Sequence, residues 1–361
     1  MKPKVPKANR IKIGPGTGGA YLDPRERSKN QLQHHEQLIL PFVSSFKPVS
    51  KPAELSLEPT AELKMKYAAF SQSGEDKFIL KDVPNAILSS FNDDIYPRLR
   101  DTRSPYLRLP HDTIPGQPTL VYRYMDDDLL SLVRKQIPIH VRKQILKASL
   151  KGIAELHSHD IVHLDIKPDN VMVNYHGGTG SDMVVKQAQL IDLENAAYLP
   201  KGRCIKGMLA GNDSWRSPEG HFKGKLNKPT DIYSFAAVCI YAMLGQVIFA
   251  ADEDLRYHES QGAFPHVIRL QRQVSFFGDR DGLNGLMDHV GDEEINCQVL
   301  GYLWDDRAAD YHTYRPFSEW PNVTDDEFKD LISRMANLDP KRRVTASEAL
   351  EHPWFVGCEI D

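Results

Sequence analysis

Absences narrow the function of this 361-residue chain before any motif does. Its four cysteines, Cys204, Cys239, Cys297 and Cys358, are widely separated and form no CxxC pair, which speaks against a zinc ribbon or redox dithiol and for free thiols in a reducing compartment. No charge sign prevails: 45 Lys and Arg stand against 49 Asp and Glu, a net charge of -4. No global positive field draws the chain onto nucleic acid or an anionic membrane, so neither is expected as a partner. Long hydrophobic runs are missing as well. Phe235 to Ala251 is apolar apart from Gly245 and Gln246, but its 17 residues fall short of the ~20 that span a bilayer, and a buried helix is expected. The basic start, with Lys2, Lys4, Lys7, Arg10 and Lys12, is not followed by an apolar stretch, so it does not read as a secretory signal. A cytoplasmic or nuclear location is the expectation.

What is present is the balance of a globular protein, 41% hydrophobic and 26% charged. The length suits two core units, or one large two-lobed domain behind an extension. Residues 1–60 hold eight of the 24 prolines and no periodic pattern, and read as an extended, locally basic arm. From about residue 61, Lys66 to Phe70 and Lys77 to Lys81 flank a Ser73-Gly74 turn and read as a hairpin, and 119–125 reads as a further strand. Helices then take over. Leu146, Leu150, Ile153 and His157 mark an amphipathic helix over 140–158, and Thr324-x-x-Glu327 reads as a capping box opening another. Strands first and helices afterwards predict an α+β protein with a small β-rich lobe and a larger helical one.

The most informative segment runs Ile161-Val162-His163-Leu164-Asp165-Ile166-Lys167-Pro168-Asp169-Asn170-Val171. Between two apolar stretches lies a polar loop in which Asp165 could accept a hydroxyl proton, Lys167 neutralise a transferring phosphoryl group and Asn170 offer an amide oxygen to a divalent cation. It resembles the catalytic loop of the eukaryotic-type protein kinase superfamily, H-R-D-L-K-x-x-N in its Ser/Thr branch. Order and spacing extend the resemblance. Asp192, at the end of the apolar run Gln189-Leu190-Ile191, falls where the family has its magnesium-binding Asp, and Ser217-Pro218-Glu219 matches the element closing the activation segment. Asp231 then leads the apolar run, as in the central helix that braces the catalytic loop, and Arg343 in Leu338-Asp339-Pro340-Lys341-Arg342-Arg343 would pair with Glu219. The resemblance covers 61–358, about four-fifths of the chain. It implies a bilobal protein-kinase-like fold, with a small lobe at about 61–125 and a large lobe at about 126–358.

Departures concentrate in the small lobe. Lys81 fits the strand lysine that grips the nucleotide phosphates. Its expected acidic partner should lie near Phe91-Asn92-Asp93-Asp94, where no Glu occurs, leaving Asp94, or Asp93, to serve. Gly14-Pro15-Gly16-Thr17-Gly18-Gly19 has the G-x-G-x-x-G pattern but lies too far upstream of Lys81 to cover its phosphates. The segment one hairpin before Lys81, at 57–64, has no glycine, so its backbone cannot approach phosphates as closely. Elsewhere Leu164 replaces the Arg that reads an activation-loop phosphate, and Leu193-Glu194 replaces Phe-Gly. Asn212 stands where Ser/Thr kinases usually place a Thr against the catalytic Asp and Lys, a role its amide could take. Asp279-Arg280-Asp281-Gly282 resembles a calcium loop only in part, because Phe277 would occupy its first ligand position.

The resemblance thus implies ATP and magnesium as cofactors and a protein as substrate. Asp165 and Lys167 would be catalytic, Asn170 and Asp192 would hold metal, and Lys81, Asp94 and the backbone at Arg123 to Met125 would bind nucleotide. His163, Glu219, Asp231 and Arg343 would support the site. Two alternatives stay open: a pseudokinase using the same fold as a binding module, and a small-molecule phosphotransferase sharing the Asp-x4-Asn loop.

Overall fold

The computed structural model describes residues 65–66 and 77–360, apart from 310 and 312. The chain divides into two units, Met1–Leu57 and Glu58–Asp361, and everything described belongs to the second. The glycine cluster at Gly14, the basic first residues, the segment 57–64 and the turn at Ser73-Gly74 lie outside the described residues.

In chain order the small lobe comprises β1 (Met65–Lys66), β2 (Phe78–Asp82), α1 (Asn85–Ser90), α2 (Tyr96–Leu99), β3 (Asp112–Thr113) and β4 (Thr119–Arg123). Its strands form one antiparallel sheet in the order β1-β2-β4-β3. Lys81 lies opposite Leu120 and Ile79 opposite Tyr122, so these four side chains share a face, and all four are buried. Strand alternation therefore turns an amine into an otherwise apolar surface, which is tolerable only if carboxylates meet it there. Between α1 and α2 the helix widens into a π turn, Phe91–Ile95. The cause is local: Pro97 has no N–H to return to the carbonyl of Asp93, and the backbone expands just before it. Phe91 and Ile95 still reach the core.

The chain then passes through β5 (Asp127–Asp128), α3 (Leu129–Arg134), α4 (Ile139–Ser158), β6 (Ile161–Val162), β7 (Val171–His176), β8 (Val184–Leu190) and β9 (Ala197–Tyr198). β5, β7 and β8 form a second antiparallel sheet, and β6 pairs with β9. The remainder is helical: α5 (Pro218–His221), α6 (Lys228–Leu244), α7 (Glu253–Ser260), α8 (Pro265–Phe277), α9 (Arg280–Val290), α10 (Glu294–Asp306), α11 (Asp326–Met335) and α12 (Ala346–Leu350). A β-bearing small lobe and a helical large lobe make the α+β bilobal arrangement that the order of the motifs implies.

α6 is the expected buried helix, and no helix among the described residues is long and apolar enough to cross a membrane. It packs with α4 and α11 in the main core, while α8, α9 and α10 enclose a second cluster around Leu270, Leu286 and Leu303. One expected cap moves. Asp325, not Thr324, caps α11 by accepting from the Phe328 N–H at 3.0 Å, since a carboxylate one residue closer to the helix offers two acceptor oxygens to the orphan N–H groups. The reciprocal box forms instead at Thr345 and Glu348, opening α12. Asp279 is likewise a helix cap, accepting from Gly282 at the start of α9.

Candidate active site

The loop between β6 and β7 is held from below by Asp231, in the first turn of α6 and almost wholly buried. Its carboxylate accepts from the backbone N–H groups of His163 and Leu164, both at 2.8 Å, and lies 3.0 Å from His157 Nε2. Those bonds fix Leu164 at φ 65°, a left-handed conformation that costs a branched residue about 1–3 kcal/mol and persists only where its surroundings determine it. The His163 ring ties the loop to the end of β8: Nδ1 accepts from the Asp165 N–H at 3.3 Å, so Nε2 carries the proton donated to the Ile191 carbonyl at 2.8 Å. Ile191 N–H in turn donates to the Asn170 carbonyl at 3.0 Å. Asp192, the next residue, adopts φ 63°, which Asp accepts more readily than most side chains.

These bonds bring Asp165, Lys167, Asn170 and Asp192 together. Asp165 Oδ2 lies 3.3 Å from Lys167 Nζ and accepts from Asn170 Nδ2 at 3.2 Å, while Asn170 Nδ2 also donates to the Asp165 carbonyl at 2.8 Å. With its nitrogen so committed, the Asn170 amide presents its oxygen to any cation. Burial pulls the Lys167 amine down, but Asp165 and Asp169 outweigh it and hold the amine above its ordinary value, so Lys167 stays charged. The Asn212 amide does not reach Asp165 as its position suggests. Its backbone N–H does, donating to Oδ1 at 3.1 Å, while its Oδ1 accepts from the Ser214 N–H. Gly211 permits this approach: at φ 73° it needs no Cβ, and one would stand 2.6 Å from the Leu164 carbonyl.

Lys81 reaches this cluster across the cleft. Nζ donates to Asp192 Oδ1 at 2.7 Å and forms a second, shorter ion pair with Glu194. Burial opposes the charged amine, but Glu194 and Asp192 outweigh it and raise its affinity for the proton. Asp94 is therefore not the partner of Lys81 in this structure. The π turn leaves Asp93 and Asp94 exposed, and Asp94 sits 4.0 Å from Arg98 on its own helix. Glu194, in the short 3-10 turn Leu193–Asn195 and 4% exposed, supplies the carboxylate and lies 3.4 Å from the Tyr122 hydroxyl. The signal was present in the sequence as an acid two residues after Asp192 combined with no Glu in 85–100, but its reach to Lys81 depends on the lobes' arrangement.

At the segment's far end Glu219, in α5, meets Arg343 in a bidentate pair of 2.7 and 2.8 Å, both side chains fully buried. Burial pushes the Glu219 carboxyl up, yet Arg343 outweighs it and holds it below the ordinary range. At the lobe crossing Met125 is buried, and its N–H has no backbone acceptor among the described residues. The Arg123 carbonyl already accepts from the Arg108 guanidinium. The donors present suit a hard cation and a polyphosphate: Asp192 and Asn170 offer oxygen, and Lys81 and Lys167 offer charge.

A family model for the protein kinase domain matches residues 113–355, about two-thirds of the chain. The chain belongs to the protein kinase family. The kinase domain is 28% identical over 251 residues to cyclin-dependent kinase B2-2 of Arabidopsis thaliana, a match covering 65% of this chain and 67% of that protein. It is 26% identical to the serine/threonine-protein kinase/endoribonuclease ire-1 of Caenorhabditis elegans, over 62% of this chain but 18% of that protein. With the serine/threonine-protein kinase H1 of Mus musculus it shares 25% identity, over 59% of this chain and 38% of that protein. The family-model match begins within β3, beyond Lys81.

Proposed function

We propose that the chain is an active, ATP- and magnesium-dependent serine/threonine-protein kinase. The observation that carries the reading is the cluster of Asp165, Lys167 and Asn170, tied through the Ile191 backbone to Asp192, which pairs with Lys81. Asp165 orients a substrate hydroxyl and takes its proton, and Lys167, kept charged by its neighbours, stabilises the negative charge of the phosphoryl group in transit. Asn170 and Asp192 would hold magnesium, which would supply neutralisation of the nucleotide's phosphate charge. Lys81 would contact those phosphates, and the backbone at Arg123 to Met125 would meet the adenine edge. Lys167, two residues after Asp165, supports the Ser/Thr preference. The Glu219–Arg343 anchor supports a protein rather than a small alcohol as substrate.

A second reading, a pseudokinase that binds partners without transferring phosphate, draws on one observation: Arg108 occupies the Arg123 carbonyl while two carboxylates hold Lys81. A radiolabelled phosphate-transfer assay with magnesium and generic protein substrates separates the two. Wild type should label serine and threonine, and Asp165→Asn should lower the rate by roughly 10²–10⁴-fold with an unchanged melting temperature. Transfer no greater than that of Asp165→Asn would establish the pseudokinase; labelling of small alcohols alone would establish a small-molecule phosphotransferase.

A further inference from the structure

A cleft of about 760 Å³ lies where the lobe crossing meets the β7–β8 hairpin and the segment preceding β3. Arg123 and Met125 of the lobe crossing line it, whereas Lys81, Asp165, Lys167, Asn170 and Asp192 do not. Strand alternation puts the Arg123 side chain on the face of β4 opposite Tyr122 and Lys81. The cleft lining holds five Lys and Arg, namely Lys77, Arg103, Arg108, Arg123 and Lys186, against one carboxylate, Asp126. That carboxylate already accepts from the Tyr175 N–H at 3.1 Å. In a chain of net charge -4 this is a concentrated local excess of the opposite sign.

Arg108 gives the cleft its second, independent feature. It is 8% exposed and pairs with no carboxylate among the described residues. One nitrogen donates to the Arg123 carbonyl, the guanidinium rests 5.0 Å from the Tyr122 ring centre, and Nε is buried with no hydrogen-bond partner. The acids nearest in charge, Asp192 and Glu194, are taken by Lys81. A buried guanidinium without a counter-ion is costly unless an anion arrives to meet it; its planar array of donors matches a carboxylate or a phosphate in two parallel bonds, and the surrounding excess of cations favours the dianion.

We propose that this cleft is a binding site for a phosphate group carried on a peptide segment, a phosphoserine or phosphothreonine. The cleft holds more than a lone phosphate fills, which favours a segment over a free ion. The exposed Arg103 and Lys186 would meet the dianion at the rim and Arg108 at the base. The proposal stands whether or not the chain transfers phosphate.

The test is fluorescence anisotropy on the full chain with a glycine-flanked phosphoserine peptide, its unphosphorylated counterpart, and inorganic phosphate as competitor. The phosphopeptide should bind saturably and at least about tenfold more tightly than its counterpart, and more weakly as salt rises. Arg103→Glu and Lys186→Glu, both at exposed positions, should each weaken it at least about tenfold while leaving the melting temperature unchanged. Equal binding of the two peptides, or binding indifferent to both charge reversals, overturns the site. Competition by inorganic phosphate at concentrations equal to the peptide's overturns a peptide source in favour of free phosphate. Tighter, variant-sensitive binding of single-stranded RNA overturns it in favour of nucleic acid.

Discussion

In the large lobe His163, Leu164, Asp165 and Asn170 of the catalytic loop are held by bonds from other elements: Asp231 from α6, the Asn212 N–H from the segment beyond β9, and Ile191 from the end of β8. In the small lobe, by contrast, Lys81 stands on a strand whose own helices offer it no acid, and its charge is met from across the cleft by Asp192 and Glu194. The large lobe keeps the order of the family's motifs, with replacements at Leu164, Leu193-Glu194 and Asn212, and the family model covers nearly all of it. The small lobe keeps the amine and moves its counter-charge. The difference teaches that burial fixes the need for a carboxylate near Lys81 but not the element that delivers it. Here the partner rides beside Asp192, the proposed metal ligand, so one short turn carries both acids that meet Lys81, while Asp93 and Asp94 take no part in the ion pair.

The largest effect that would sharpen this contrast belongs to the large lobe's anchor. Arg343→Met leaves Glu219 buried with no cation, and removing one partner of such a pair costs about 3–5 kcal/mol. Thermal unfolding should show a fall of many degrees. The paired carboxyl's contribution has a defined pH window: because Glu219 is held below its unfolded value, that stabilisation is complete above the ordinary glutamate range and disappears as pH falls through the depressed folded value. Wild type and Arg343→Met should therefore converge in strongly acidic buffer. Equal melting temperatures at neutral pH would break the claim that this anchor supports the large lobe.

A smaller effect tests the relocation. Glu194→Gln leaves Lys81 with Asp192 alone, and the loss of one charge-assisted contact, about 1.5–3 kcal/mol, should appear as a loss of roughly ten- to a hundredfold in kcat/KM for ATP. Asp94→Ala should change neither rate nor stability by more than about 0.5 kcal/mol, as expected of an exposed side chain. The reverse ranking would return the partner of Lys81 to the helical segment and erase the contrast between lobes.

Which parts of this arrangement the sequence discloses follows the same division. The loop from His163 to Asn170 is legible because its acid, amine and amide are neighbours in the chain, and their spacing carries the chemistry. Asp231 and Arg343 are distant in sequence yet recognisable, because each sits in a local pattern that names it: the head of an apolar helix, and Asp-Pro-Lys-Arg-Arg before the capped α12. Glu194 is not legible as a partner, since only the packing of β2 against the turn after β8 brings it to Lys81. The misplaced cap of α11 has a narrower cause. Thr324 and Asp325 are both competent N-caps, and the box pattern alone does not separate neighbours. Asn212 shows a third kind of miss: the position meets Asp165 as expected, but through a backbone N–H that any residue type possesses.

The smallest expected effect concerns His221, which sits in α5, two residues beyond Glu219 of the large lobe's buried ion pair. Both ring nitrogens are buried without a hydrogen-bond partner. Burial first, and then the nearby Arg216, His266 and Arg269, push its pKa well below the ordinary 6.5. In the unfolded chain the same imidazole takes up a proton near its ordinary value, so between the two pKa values the unfolded state binds more protons. The stability that depends on a neutral His221 is thus complete above about pH 6.5 and is lost as pH falls below it, with a slope of at most ~1.4 kcal/mol per pH unit. Melting temperatures at pH 7.5 and 5.5 should therefore diverge more for wild type than for His221→Leu, a change that keeps roughly the same volume without a titrating group. Part of the slope should survive in the variant, because burial also lowers His266, offset in part by Asp213. Among the described residues of the small lobe there is no buried histidine of this kind, and its buried cations Lys81 and Arg108 remain charged throughout this range. Identical slopes in the two proteins would show that acid sensitivity arises outside α5, and would remove pH from the list of ways in which the lobes differ.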